Sequence, residues 1–159
     1  MPVISRRSLM AAAAASAFIR PLAAQTLPPM VIHKDPNCGC CSAWDRHLRA
    51  AGFDTRVIET AEMDAVKTRL GVPAQLTSCH TAEIDGYVIE GHVPAATIRR
   101  LLSGRPAATG LAVAGMPIGS PGMAVPGEPD EIYDVVLFGP AGHKTYARFK
   151  GAQELLARS

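Results

Sequence analysis

Three of the four cysteines in this chain lie within four consecutive positions, Cys38-Gly39-Cys40-Cys41, and the fourth is Cys79. A disulfide needs two α-carbons about 4.4 to 6.8 Å apart and a side-chain torsion near a right angle, so a bridge between adjacent or next-nearest cysteines would be strained. Cys79 can form a disulfide with only one of the three clustered cysteines. Whichever pair forms a disulfide, two thiols are left over, and the cluster is therefore a poor structural cross-link.

Closely spaced sulfur atoms are better suited to binding a soft metal. Thiolate ligands favour Cu(I), Zn(II) and iron–sulfur clusters. A single tetrahedral zinc ion is usually bound by cysteines in C-x2-C spacing, because two sulfurs then converge on one ion. Adjacent cysteines converge poorly on one ion but can hold neighbouring ions. The C-x-C-C spacing therefore predicts sulfurs that bridge several Cu(I) ions.

Other uses of these sulfurs stay open. Cys38 and Cys41 form a C-x-x-C pair, which is typical of a thioredoxin-type dithiol. A reducible disulfide with two idle thiols is a second alternative. A structural zinc domain ranks lower, because the cysteines are adjacent.

Residues 1–24 have the pattern of an export signal. The adjacent Arg6 and Arg7 precede a mild apolar run over residues 11–19, and the pattern predicts cleavage near Gln25. The paired arginines resemble a twin-arginine signal. The apolar run is too short to serve as a stable membrane anchor, which needs about 20 residues. We therefore expect an exported, periplasmic protein.

Removal of residues 1–24 changes the charge of the chain. Three of the 16 basic residues and none of the 14 acidic ones lie there, which leaves 13 basic and 14 acidic residues in the mature chain. A formal charge of −1 implies no nucleic-acid partner and no anionic membrane surface. Export also places the cysteines in an oxidising compartment, where bare thiols tend to oxidise unless metal occupies them.

Apolar periodicity and turn residues predict the helices and strands of the chain. Their order indicates an α/β fold, specifically a thioredoxin-like single domain over residues 25–159. In a thioredoxin-like domain the loop before the first helix faces the loop that carries Cys79. The predicted elements, in chain order, are strand 30–33, helix 41–51, strand 53–59, helix 61–70, strands 81–84 and 87–90, and helix 94–102.

Residues 105–131 differ in composition from the rest of the chain. They contain five glycines and five prolines, and long loops without regular structure are usually functional or disordered. Because the centre of this segment is apolar and rigid, we expect an ordered flap. A C-terminal hairpin, strands 132–138 and 144–149, and a short tail are predicted to follow.

Four further residues are candidate metal ligands. His80 lies beside Cys79, and His92 follows the predicted hairpin. Met116 and Met123 lie in the flap, and thioethers bind Cu(I) even where thiols do not last. His47 is predicted to lie on a helix surface without a special role.

Four separated motifs occur in a fixed order along the chain. They are Cys38-Gly39-Cys40-Cys41 with Trp44, Ser78-Cys79-His80-Thr81, Tyr87-Val88-Ile89-Glu90-Gly91-His92-Val93-Pro94, and Gly115-Met116-Pro117-Ile118-Gly119-Ser120-Pro121-Gly122-Met123. Together they resemble one known family, the CopG-like periplasmic copper-resistance proteins, long catalogued as a domain of unknown function. The resemblance implies a thioredoxin-like fold and a multinuclear Cu(I) cluster bridged by Cys38, Cys40, Cys41 and Cys79.

The resulting hypothesis is a periplasmic protein that sequesters or passes on Cu(I) in copper resistance. Its partners would be copper ions and other periplasmic copper-handling proteins, and Cu(I)/Cu(II) interconversion would extend the role. The alternative is a dithiol–disulfide oxidoreductase that acts on protein partners through Cys38 and Cys41.

Overall fold

A computed structural model describes residues 26–157 of the chain. The eight strands in these residues lie in one mixed sheet of order β2-β1-β3-β4-β5-β6-β7-β8. The elements are β1 Met30–Lys34, α1 Gly39–Ala50, β2 Thr55–Glu59, α2 Met63–Arg69, a 3-10 turn Ala74–Leu76, β3 His80–Ile84, β4 Tyr87–Glu90, α3 Ala95–Gly104, β5 Gly110–Ala112, β6 Ile132–Gly139, β7 Gly142–Lys150 and β8 Gln153–Ala157.

The predicted α/β class is confirmed. β1 pairs in parallel with β2 and antiparallel with β3, β4 pairs in parallel with β5, and the remaining neighbours are antiparallel. The predicted export signal, residues 1–24, lies outside the described residues and stays a prediction. Within residues 26–157, no helix combines the length and the apolar character that crossing a bilayer requires.

Two strands lie where the sequence predicted irregular chain. β5 falls inside the segment 105–131, and β8 replaces the short tail. β5 has only three residues, so it shows no periodicity, and it forms because β4 and β6 pair with it on either side. A methyl group at Gly110 would lie 1.7 Å from the Val88 carbonyl oxygen, so only glycine lets β5 approach β4. The pairing of β8 with β7 overrides the weak strand propensity of its residues.

The core lies between the sheet and helices α1 and α3. Trp44 and Leu48 of α1 and Ile98 and Leu101 of α3 are fully buried in one cluster. Helix α2 is different, because Met63 and Val66 are only half-buried while Lys67 is buried.

His47 has a structural role that the sequence did not indicate. It is half-buried, and its Nε2 accepts a hydrogen bond from the backbone N–H of Ala95 at 3.2 Å. Pro94, predicted as the first residue of α3, is instead its N-cap, and proline offers no side-chain acceptor there. The imidazole of His47 therefore satisfies an unpaired amide at the start of α3 from outside that helix.

Lowering the pH should destabilise the protein through His47. Burial lowers the pKa of His47, so the unfolded chain, with a pKa of about 6.5, takes up the proton first as the pH falls. The stabilisation is complete above that value and is lost as the pH falls towards the folded-state pKa. His47→Gln keeps an acceptor but does not titrate. We expect the free energy of unfolding of the wild type to fall by about 1 kcal/mol more than that of His47→Gln between about pH 7.5 and pH 5.

Urea denaturation of the reduced, metal-free proteins measures this difference. Parallel pH dependences for the two proteins would contradict the capping role.

Candidate metal centre

The loop between β1 and α1 is held in one conformation by local hydrogen bonds. The Asp35 carboxylate accepts from the Asn37 N–H at 2.8 Å, and the Asp35 carbonyl accepts from the Cys38 N–H at 3.0 Å. Lys34 Nζ donates to the carbonyls of Asp35 and Pro36 at 3.0 and 3.3 Å. These hydrogen bonds place Cys38 at the N-cap of α1.

The four cysteines lie together. Cys38 and Cys41 form a disulfide with α-carbons 5.4 Å apart, and Cys40 and Cys79 are free thiols. Cys40 Sγ lies 3.4 Å from Cys38 Sγ and 3.7 Å from Cys79 Sγ. The four sulfur atoms all lie within 4.8 Å of one another. The structure thus brings Cys79 from the start of β3 to the other three, as the sequence predicted.

His80 and His92 form a second group around Cys79. Cys79 Sγ lies 3.3 Å from His80 Nδ1 and 3.1 Å from His92 Nε2. His92 Nδ1 lies 2.8 Å from the Pro121 carbonyl oxygen, which can only accept, so Nδ1 carries the proton and Nε2 directs its lone pair at Cys79. An imidazole oriented in this way is ready to bind a metal ion.

Burial sets the protonation of this group. Burial, then the charges of His92 and Lys67, keep the pKa of His80 well below its usual value, and burial lowers the pKa of His92. Both imidazoles are therefore neutral at neutral pH. Burial, then the neighbouring Cys40, raises the pKa of Cys79 to about 12. Without a cation, Cys79 is a protonated thiol.

His80 is also unusual in its partners. Its ring packs against Trp44, with centroids 4.3 Å apart, and edge-on against His92 at 4.9 Å. Its buried Nε2 has no hydrogen-bond partner among the described residues. Buried polar atoms are rarely left unpaired, and those that are often mark a site for an ion or a ligand.

The prediction of a flap over residues 105–131 holds only in part, because residues 110–112 form the buried strand β5, whereas residues 115–122 lie over the cysteines and histidines. The Gly115 N–H donates to the Thr77 carbonyl at 3.0 Å, and Ser78 Oγ donates to the Gly115 carbonyl. Gly122, at φ +87°, packs on α1, where a methyl group on it would lie 2.7 Å from Trp44 N. The flap thus joins the Cys79 loop to the first turns of α1.

The two methionines occupy different places in the flap. Met116 is 53% exposed and lines an open groove of about 750 Å³ with Ile132 and Tyr133 of β6. Met123 is half-buried and follows Gly122, which packs on α1. Their role as copper ligands stays a prediction.

Sequence reasoning missed two residues beneath the site, Lys67 and Glu90. They form a buried ion pair with Nζ 2.5 Å from Oε1. A lysine on a short helix and a glutamate at a strand end are ordinary residues. Only their juxtaposition in the fold distinguishes them.

Two solved structures resemble the chain. One, described as copper resistance protein CopG form 1, is 46% identical, with a TM-score of 0.73, and the match covers 79% of this chain and 99% of that chain. The other, described as form 2, is 46% identical, with a TM-score of 0.72 and coverage of 77% and 98%. A family described as a protein of unknown function, DUF411, matches residues 76–123. A search of curated proteins finds no match.

Alkylation of the metal-free protein should be slow at Cys79. Only the thiolate reacts, and a pKa of about 12 leaves Cys79 with far less thiolate than a cysteine peptide has. The greater nucleophilicity of a more basic thiolate offsets part of this, so at about pH 8 iodoacetamide should react about a hundredfold more slowly with Cys79 than with the peptide. Cys40→Ala removes a neighbour that raises the pKa and should speed the reaction. Peptide mass spectrometry measures both rates, and unfolding in urea should abolish the difference. A peptide-like rate in the folded protein would contradict the burial argument.

Proposed function

Because this chain belongs to the family of CopG copper resistance proteins, we propose that it handles copper by binding several Cu(I) ions at Cys38, Cys40, Cys41 and Cys79. The observation that carries the proposal is the convergence of four sulfurs from two separate segments of the chain. Thiolates are the ligands that Cu(I) prefers.

The sulfur separations fit shared metal ions. Two sulfurs bound to one tetrahedral ion at about 2.3 Å lie about 3.8 Å apart. The Cys40 and Cys79 sulfurs are 3.7 Å apart. Reduction of the Cys38–Cys41 disulfide would add two more thiolates beside them. Cys40 and Cys41 are adjacent in the chain and their sulfurs lie within 4.8 Å of each other, so each would bind a different ion and bridge it to the next.

The same pocket offers a second kind of ligand set, which supports redox cycling. Cys79, His80 and His92 provide one thiolate and two neutral imidazoles. Two histidines and a cysteine suit copper in either oxidation state, whereas a purely thiolate set favours Cu(I). Oxidation of the reduced Cys38 and Cys41 to the disulfide releases two electrons and two protons, which balances the reduction of two Cu(II) ions to Cu(I).

The proposal includes a periplasmic location, with residues 1–24 acting as a twin-arginine export signal. Support comes from the arginine pair and the short apolar run. It also includes a thioredoxin-like core, which the strand order β2-β1-β3-β4 supports. Other periplasmic copper-handling proteins would deliver or accept the metal.

A second candidate function is dithiol–disulfide exchange with protein partners. The disulfide between Cys38 and Cys41 at the start of α1 favours it, because a C-x-x-C pair at a helix N-terminus is the arrangement of thioredoxin-type enzymes. Such an enzyme does not need Cys40, and this difference separates the two functions.

Anaerobic titration of the reduced protein should show several Cu(I) ions per chain. Cys79→Ser should bind fewer ions, because Cys79 is the one residue common to the thiolate and histidine groups. His143→Asn, a change at an exposed histidine of β7, is the matched control and should titrate as the wild type does. A stoichiometry of one ion per chain, or a preference for zinc, would contradict the proposal.

Cys40→Ser should separate the two candidate functions. We expect it to lower the Cu(I) stoichiometry and to make cells more sensitive to copper, while the Cys38–Cys41 pair still exchanges disulfides. Copper survival assays and a disulfide-exchange assay on the purified variant measure the two effects. Full exchange activity together with unchanged survival in copper would favour the oxidoreductase.

A further inference from the structure

A buried ion pair lies beneath the candidate metal centre. Lys67 of α2 is 7% exposed and Glu90 of β4 is fully buried. Lys67 Nζ donates to Glu90 Oε1 at 2.5 Å and to Thr81 Oγ1 at 3.0 Å. Neither residue is a ligand candidate, and the proposed function does not use the pair.

The Glu90 carboxylate holds the chain on both sides of the Cys79-His80 dipeptide. Its Oε1 also accepts a hydrogen bond from the Ser78 N–H at 2.6 Å, and its Oε2 accepts one from Thr81 Oγ1 at 2.6 Å. The register of the β3–β4 hairpin places Thr81 directly opposite Glu90. One side chain therefore fixes the residue before Cys79 and the residue after His80.

The backbone after Glu90 packs against residues 78–80. Gly91 has a φ of +71°, and its N–H donates to the His80 carbonyl at 3.0 Å. A methyl group on Gly91 would lie 2.6 Å from Ser78 Cβ. The end of β4 thus leaves the Ser78-to-His80 segment little room to shift.

Stability alone does not account for this ion pair. Removing two charges from water costs several kcal/mol per ion, and apolar replacements of buried pairs are often neutral or stabilising. What the pair provides, and an apolar pair would not, is a directional acceptor for the Ser78 N–H and the Thr81 hydroxyl. A fixed geometry of two adjacent ligands matters most to a metal site.

We propose that Glu90, whose negative charge is balanced by Lys67, is a positioning residue that fixes Cys79 and His80 in the geometry that binds copper. This inference rests on the proposed function. Because Cys79 belongs to both ligand groups, a shift of this segment weakens both at once.

Two double variants separate positioning from a merely structural role. Lys67→Met with Glu90→Leu removes the pair and the acceptor without leaving an unpaired buried charge. Lys67→Met with Glu90→Gln also removes both charges but keeps an amide oxygen for the Ser78 N–H. Urea denaturation measures the stability of both variants, and a difference at the site under conditions in which both are fully folded reports positioning.

Two measurements are made on each protein. Hydrogen exchange of the Ser78 amide in the metal-free, reduced protein reports the hydrogen bond to residue 90 without any metal. Competition with a chromophoric Cu(I) chelator reports copper affinity. The Leu variant should lose Ser78 protection and bind Cu(I) about tenfold or more weakly, and the Gln variant should recover most of both.

Equal copper affinities in the two variants, despite a difference in Ser78 protection, would overturn the inference while the proposed function stands. Absence of Cu(I) binding in the wild type would sink the proposed function. The positioning role would then be judged by Ser78 protection and by the Cys79 alkylation rate, which should rise only in the Leu variant.

If the Leu variant fails to fold, Thr81→Val provides the test, since it keeps the contact between Lys67 and Glu90 and removes the two hydrogen bonds of the Thr81 hydroxyl, one to Glu90 Oε2 and one from Lys67 Nζ. It should weaken Cu(I) binding several-fold, and an unchanged affinity would overturn the inference.

Discussion

The antiparallel pairing of β1 with β3 is the constraint on which the site depends. In this register Lys34, the last residue of β1, lies opposite His80, the first residue of β3. The cysteine loop follows β1 and Cys79 directly precedes β3, so both lie at the same end of these two antiparallel strands. Because side chains alternate between the faces of a strand, a slip of one residue would turn His80 to the opposite face and separate the sulfurs. The metal-binding geometry is thus a consequence of sheet register.

The surroundings of Cys79 disfavour its thiolate unless a cation lies beside it. Burial raises the pKa of Cys79 to about 12 and keeps His80 and His92 neutral. A thiolate in this place is costly unless a positive charge lies beside it, and a bound metal ion supplies that charge and displaces the proton. Two neutral imidazoles beside Cys79 add ligand atoms without adding positive charge.

The sequence predicted the features that depend on spacing and local pattern. The cysteine spacing and the order of the predicted helices and strands led to the α/β class and to the expectation that Cys79 meets the other three cysteines. β5, the acceptor role of His47 and the Lys67–Glu90 pair could not be predicted, because each exists only through a partner distant in sequence. A three-residue strand or a single charged residue has no periodicity from which such a partner could be read.

The disulfide between Cys38 and Cys41 connects the two candidate functions physically. A sulfur in a disulfide is not a thiolate ligand, so the oxidised site retains Cys40 and Cys79 with two histidines, while the reduced site offers four cysteine sulfurs. The two states therefore differ in how many soft ligands they offer to a metal ion. Thiol oxidation and metal binding are therefore competing uses of one set of sulfurs, and the redox poise of the compartment decides between them.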